Sequence, residues 1–553
     1  MRVSALMASV LMGYFIQTCS SANIVVLYGV CTKSHVIAVM PAVEELALRG
    51  HQVTVISPFK GIAKNVQNGH EIVLADIGKR IDETEVDWFS MQKQGSTQFF
   101  NMMMLMKAIS LKASNSIFSH PEFQEIVKKR QIDLFIVDGL FHEFLYPVFD
   151  LIKVPFVTHG ASSAFPGTLV AMGAPLDYAS VPIHTTDFVT PMTFTQRLMN
   201  IIPTMGCLIS HSIVKSYFPG ARDIEEVLGE ASICMINSHP MTNWPRSLPP
   251  SMIPVGPLHT RPAKTLPQGL KEFADAAKEG LVIFTLGSAV PVSSMPKETL
   301  ASFIRVFSKF PQRVVWKWEA EMPLNLPSNI MMVKWLPQQD FLGHPNARLF
   351  ITHGGLLGTQ EAAYHGVPML GLPFGNDQRG NVAKVKREGW GWQLDWDKIN
   401  DSVLEETLNY LIHDPSIRAN ASRVSRLMQD EIIPAKEVAV YWMEYVIRHG
   451  GAKHLQLSSK NMPFYQRHLI DVALFLILVA VVLSYLCIAT IRFVARKRFP
   501  GKISKHKLNS LFRFMPLAKN LVTCYVITDI ILRKLRVELY ASSLSSVIGQ
   551  TGN

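Results

Sequence analysis

The 553-residue chain reads as an α/β protein with two βα-rich halves and one membrane-crossing helix behind them. Three observations predict this. Short apolar runs that end on polar residues or glycine alternate with helical spacings in both halves, the pattern of strands buried on both faces of a parallel sheet. A proline-rich stretch between Pro240 and Leu281 separates the halves. Val472–Ile491 carries no charge, and its length as a helix is about 30 Å, enough to cross a bilayer.

At the N-terminus, Val3–Ile16 follows Arg2 and leads into Cys19-Ser20-Ser21-Ala22. A short apolar core with a small-residue end reads as a secretory leader over residues 1–22, cut after Ala22. The first unit, 23–240, opens with the apolar run Asn23–Val30, ending Gly29-Val-Cys-Thr-Lys-Ser-His35. Val36–Arg49 has helical spacing and stops at Gly50, and His51–Ile56 alternates like a strand. This βαβ opening puts His35 at the entrance of its helix. Ile132–Val137 ends on Asp138, and Val154–Thr158 ends at His159-Gly160. Ligands of parallel sheets sit at the carboxyl ends of strands, where His35 and Asp138 both fall. Between them Phe89–Phe118 is crowded with Met91, Phe99, Phe100, Met102, Met103, Met104 and Met106. That composition suits either an adaptable apolar pocket or a packed helix.

Eight prolines from Pro240 to Pro267 mark an extended connector, residues 241–280. The second unit, 281–450, opens with Leu281–Leu286 and Gly287-Ser288, with further strands at Val314–Trp318 and Ile330–Val333. Its densest stretch is Trp335–Gln378. Trp335 and Gln338 precede the apolar run Leu349–Ile351 and the turn Thr352-His353-Gly354-Gly355. A helical segment with Gly358 and Glu361 follows, then Pro368–Pro373 and Asn376-Asp377-Gln378. Strand, glycine turn and helix in that order present backbone N–H groups to an anion. Ser402–His413, Arg418–Gln429 and Ala435–Arg448 read as helices, the last leading toward a transmembrane segment at 469–491.

The net charge is +11, and ten of those charges come from the tail 492–553, which holds twelve basic and two acidic residues. The body is nearly neutral, so nucleic acid is excluded as a partner. Arg492, Arg496, Lys497 and Arg498 directly after the span place the tail in the cytosol and the body in a lumen. Cys31, Cys207 and Cys234 form no disulfide framework, and no Cys/His spacing suggests a metal. Asn-x-Ser sequons stand at Asn400 and Asn420.

Taken together, Trp335–Gln378, His35, Asp138, Gly287-Ser288, the leader and the C-terminal span resemble the UDP-glycosyltransferases, the family that includes the UDP-glucuronosyltransferases of the endoplasmic reticulum. The resemblance implies two facing Rossmann-like domains of the GT-B type, acceptor in the first and UDP-sugar in the second. It assigns Trp335 to stacking on uracil with Gln338 beside it, and Glu361 to the ribose hydroxyls. His353 and the turn with Gly355 and Gly358 would hold the diphosphate near Ser288, and Asp377 and Gln378 would reach the sugar. His35 would be the base, oriented by Asp138. A helix N-terminus and an imidazole N–H can stabilise departing UDP, so neither metal nor cofactor is expected. The implied reaction is inverting transfer of glucuronate or glucose to a hydroxyl of a small lipophilic aglycone, in conjugation or detoxification at the endoplasmic reticulum membrane. Homo- or hetero-oligomeric partners are allowed.

Some residues depart from the pattern. Leu357 stands where many vertebrate members carry Asn, and the Leu356-Leu357 pair is similar to invertebrate members, several of which use UDP-glucose. Arg261 is a candidate partner for a glucuronate carboxylate. Asp395-Trp-Asp397 matches a metal-binding Asp-x-Asp but lies outside the context that motif requires. The tail is long for the family and reads as an interfacial helix or an unfolded extension. Two other readings compete: a non-catalytic nucleotide-fold membrane protein that acts as a binding or hetero-oligomer partner, and a nicotinamide dehydrogenase. The dehydrogenase lacks its Gly-x-Gly-x-x-Gly after the first strand.

Overall fold

The computed structural model describes residues 21–78, Phe89, 109–202 and 224–498, apart from 130, 140–141, 143–144, 146–148, 150–151, 289 and 322–324. The leader apart from Ser21 and Ala22, the methionines of the Met/Phe stretch, Cys207 and the tail beyond Arg498 lie outside the described residues. The chain divides into two units, Met1–Met462 and Pro463–Asn553.

The first unit contains two sheets. Strands β1 (Asn23–Leu27), β2 (Gln52–Ser57), β3 (His70–Val73), β4 (Leu134–Asp138), β5 (Phe156–Gly160), β6 (Ile233–Ile236) and β7 (Met252–Pro254) form the first, in the order 3-2-1-4-5-6-7. Strands β8 (Leu281–Thr285), β9 (Arg313–Lys317), β10 (Ile330–Val333), β11 (Ala347–Thr352), β12 (Met369–Gly371) and β13 (Gly391–Gln393) form the second, in the order 10-9-8-11-12-13. Every pairing among these strands is parallel. Alternate residues of each strand feed opposite cores: Val25 and Leu27 face one layer, Ile24 and Val26 the other. The second sheet does the same with Val282 and Phe284 against Leu281 and Ile283. In each sheet the strand order reverses once, between β1 and β4 and between β8 and β11, and a crevice opens beyond such a reversal.

The proline-rich stretch departs from a plain extended connector. Met252–Pro254 pairs with β6 as the edge of the first sheet, and Gln268–Asp275 is a helix whose Phe273 and Ala274 enter the second core. Local proline content hid both elements, because long-range pairing and burial stabilise them.

A larger difference concerns the helix Ala435–His449, which the sequence reading assigns to the second unit and points toward the membrane. Its Ala439, Val440, Met443 and Val446 are fully buried in the same cluster as Val36, Val39, Val43 and Leu46 of the Lys33–Leu48 helix. Arg49 pairs with Glu437 and, at 3.2 Å, with Glu444, while Lys436 reaches Glu45 at 2.7 Å. The last helix of this unit therefore crosses back and covers the first sheet. Of the two sequons, Asn400 is an exposed helix cap that accepts from the Val403 N–H, and Asn420 donates to the Gly389 carbonyl at 3.0 Å.

In the second unit, the helix Ile470–Arg498 includes a 24-residue apolar span, Ile470–Phe493, exposed along its length. At about 1.5 Å per residue it reaches some 36 Å, long enough to cross a bilayer.

Candidate active site

The first half of the site sits at the β1/β4 reversal. After β1 the chain enters the Lys33–Leu48 helix through Thr32, which places His35 in its first turn. Asp138, the last residue of β4, is fully buried, and its Oδ2 lies 3.0 Å from His35 Nδ1. The His35 side chain keeps about a fifth of its surface open. Burial pulls its pKa down, but the Asp138 charge and hydrogen bond, with the Asp377 charge, raise it above the ordinary value. Asp377 belongs to the other sheet's half of the molecule, and its charge is felt at this imidazole.

Three supporting residues had no role in the sequence reading. His142 Nε2 accepts from the backbone N–H groups of Gly29 (2.8 Å) and Val30 (3.3 Å), fixing the turn after β1. The Tyr28 hydroxyl and His159 Nδ1 are 2.8 Å apart, and Asp138 pairs in register with His159. Burial drives His159 down to about 4, so its imidazole is neutral. A histidine at a strand end was the only signal available.

The second half sits at the β8/β11 reversal. His353 follows β11, and glycines flank its ring. A Cβ on Gly287 would lie 2.5 Å from His353 Cε1, and one on Gly355 2.6 Å from Nε2. Gly287 also needs its φ of +80°. Burial and the Lys317 ammonium push His353 down to about 4, leaving a neutral ring that can donate one N–H. Lys317 donates to the Gly287 carbonyl at 2.8 Å and pairs with Glu319. Gly355 caps the Leu356–His365 helix, whose first N–H groups lack helical partners. A Cβ on Gly358 would lie 3.4 Å from Gln338 Nε2 and 3.5 Å from Phe350 Cε1. Gln338 donates to Glu361 Oε2 at 2.5 Å, and burial raises the Glu361 carboxyl to about 7. Ser288 is exposed beside Gly287.

Trp335 is 66% exposed, and the Lys33 ammonium of the first half lies 5.5 Å from its ring centroid. Asp377 caps the Gln378–Arg387 helix and accepts from Asn381 at 2.9 Å; burial raises its pKa against the opposing pull of Asn381 and His35. Gln378 uses its carboxamide oxygen to hold the Phe374 and Gly375 N–H groups.

Two arginines differ in how far their guanidinium groups are engaged. Arg261 pairs with Asp340 at 2.6 Å through Nη1, so part of its guanidinium is already engaged. Arg246 lines a cleft with Ser163, His184, Trp244, Gly380 and Asn381. Its one hydrogen bond to a described residue is a 3.4 Å contact to the Ala164 carbonyl. Burial lowers its pKa, offset only by the more distant Asp177 charge, and its own charge helps burial hold His184 down at about 4. Asp395 of the Asp-x-Asp pair is engaged by Lys398 at 2.9 Å and Arg379 at 3.6 Å, with Trp396 buried between the two aspartates.

Similarity to known proteins shows the family of the chain and its fold. The family model described as "UDP-glucoronosyl and UDP-glucosyl transferase" matches residues 24–505. A UDP-glycosyltransferase UGT5 from Dactylopius coccus is 35% identical over 84% of this chain and 91% of its own length. The UDP-glucuronosyltransferase 2B7 of Homo sapiens is 30% identical over 85% of this chain and 92% of its own. Among solved structures, a UDP-glucosyltransferase from Polygonum tinctorium superposes with a TM-score of 0.54 at 17% identity, covering 77% of this chain and 99% of that one. The kitacinnamycin glycosyltransferase gives 0.53 at 16%, covering 78% and 99%. At such identities these two speak for the fold, the two-sheet GT-B architecture. The chain belongs to the UDP-glucuronosyl and UDP-glucosyl transferase family and is a glycosyltransferase.

Proposed function

We propose that the enzyme transfers a hexosyl group from a UDP-sugar to a hydroxyl of a small lipophilic acceptor, with inversion, in the lumen of the endoplasmic reticulum. The observation that carries this reading is the His35–Asp138 pair at the β1/β4 reversal, with Asp138 Oδ2 3.0 Å from His35 Nδ1. Asp138 accepts from Nδ1–H, which leaves the Nε2 lone pair as base. The acceptor oxygen gives its proton to Nε2 and forms the new bond to the anomeric carbon as the bond to UDP breaks. The departing diphosphate gains negative charge, met by His353 and the first N–H groups of the Leu356–His365 helix. Glu361 takes the ribose hydroxyls, Trp335 the uracil, and Asp377 with Gln378 the sugar. In this reading no metal or cofactor takes part.

Arg246 favours glucuronate as the sugar. A half-buried guanidinium with one long hydrogen bond has donors to spare for an anion in the cleft. Its cleft also includes Asn381, which holds Asp377. Glucose is the second reading, on the Leu356-Leu357 pair. The test is acceptor-dependent UDP release by the full-length protein in microsomes, with UDP-glucuronate against UDP-glucose on one phenol. Absence of release with both donors would end the proposal. Arg246→Leu should cut kcat/KM for the uronate about 10–100-fold and spare glucose.

A further inference from the structure

His259 lies in the segment between the two sheets and has no assigned part in the chemistry, yet its side chain is almost wholly buried beside the nucleotide half of the site. Its Nε2 is 3.1 Å from the Leu357 carbonyl and 3.6 Å from Glu361 Oε1. A carbonyl can only accept, so Nε2 carries the proton. Nδ1 is then a buried lone pair without a hydrogen-bond partner among the described residues. An apolar side chain would fill this place without that cost. The backbone around it is tied to the same element: the His259 carbonyl accepts from Gln339, the Arg261 N–H donates to Gln339, and Asp340 accepts from Arg261 and the Lys264 N–H. Gln338 at the start of that helix in turn holds Glu361.

We infer that His259 is a positioning residue for the donor nucleotide: its ring, fixed by donating its one N–H to the Leu357 carbonyl in the first turn of the diphosphate-binding helix, packs 3.6 Å from Glu361 Oε1 and sets where the ribose-binding side chain stands. The inference rests on the donor site proposed above. Binding is measured on the full-length protein in detergent, with UDP and with 2′,3′-dideoxy-UDP as probes. His259→Ala weakens UDP up to about tenfold, the scale of one neutral hydrogen bond, and leaves the dideoxy nucleotide within twofold. His259→Gln, which carries an N–H at about the reach of Nε2, restores most of the loss. In turnover the donor KM rises while the acceptor KM and kcat hold. In a Glu361→Gln background the alanine change has no further effect on UDP. Equal losses for both nucleotides, or no rescue by Gln, overturn the inference. A wild-type protein that fails to bind UDP, or a Glu361→Gln variant that binds it as wild type does, overturns the donor site itself.

Discussion

Replacing Asp138 by Asn tests the proposed base most directly. The carboxylate is fully buried, 3.0 Å from His35 Nδ1, and its charge is a principal reason the imidazole pKa is raised. Asparagine keeps the size and removes the charge. Its NH₂ would donate to Nδ1, moving the ring proton to Nε2, where the lone pair has to be. The variant should therefore lose most of what His35→Ala loses, about 10²–10⁴-fold in kcat, the usual worth of a positioned general base. The two changes act through one group, so the double variant should match His35→Ala alone. The pH profile adds a sign. A base works deprotonated, so kcat/KM for the acceptor rises with pH through the His35 pKa. Loss of the Asp138 charge lowers that pKa and moves the rising limb to lower pH, on a reduced plateau. UDP binding, held by the other sheet, should change less than about threefold, since the carboxylate touches only the imidazole. The assay is acceptor-dependent UDP release across a pH series on either side of neutrality. An Asp138→Asn enzyme as active as wild type, or a double variant whose loss is the product of the singles, would refute the reasoning.

Three further outcomes follow from the geometry. The Glu361 carboxyl, raised to about 7 by burial, must be ionised to accept the ribose hydroxyls; UDP affinity should fall as pH drops below about 7 and level off above it. Calorimetry in buffers of different ionisation enthalpy should show up to about half a proton released at neutral pH, and none released there would contradict the assignment. Gly287→Ala sets a Cβ 2.5 Å from the His353 ring at a φ of +80°, and should cost about 1–3 kcal/mol of stability together with donor binding, read by thermal melting and UDP titration. Met443→Ala, in a fully buried position against the first sheet, should cost about 2–5 kcal/mol, read by denaturant unfolding; a loss below about 1 kcal/mol would mean the returning helix is not part of that core.

The buried parallel strands, the glycine turn before a helix and the apolar span were legible in the amino-acid order, as were His35 and Asp138, which the fold brings to 3.0 Å, and Gln338 and Glu361, which it joins by a hydrogen bond. Each is written locally, as an apolar run, a strand-end polar residue or a glycine. What only tertiary structure decided depends on which surfaces meet. The apolar stripe of Ala435–His449 marks a buried face but carries no information about which sheet it covers, and long-range packing assigned it to the first. Nothing in the residues around Arg261 shows that Asp340 occupies it, and nothing around Arg246 shows that it lines a cleft. His259 sits among prolines that read as solvated linker, and only the chain's return against Gln339 and Leu357 buries it. The two halves of the site lie some three hundred residues apart, at His35 and His353. Separate sheet reversals hold each of them, and no local pattern can encode the approach of one reversal to the other, because that approach is made by contacts between surfaces distant along the chain.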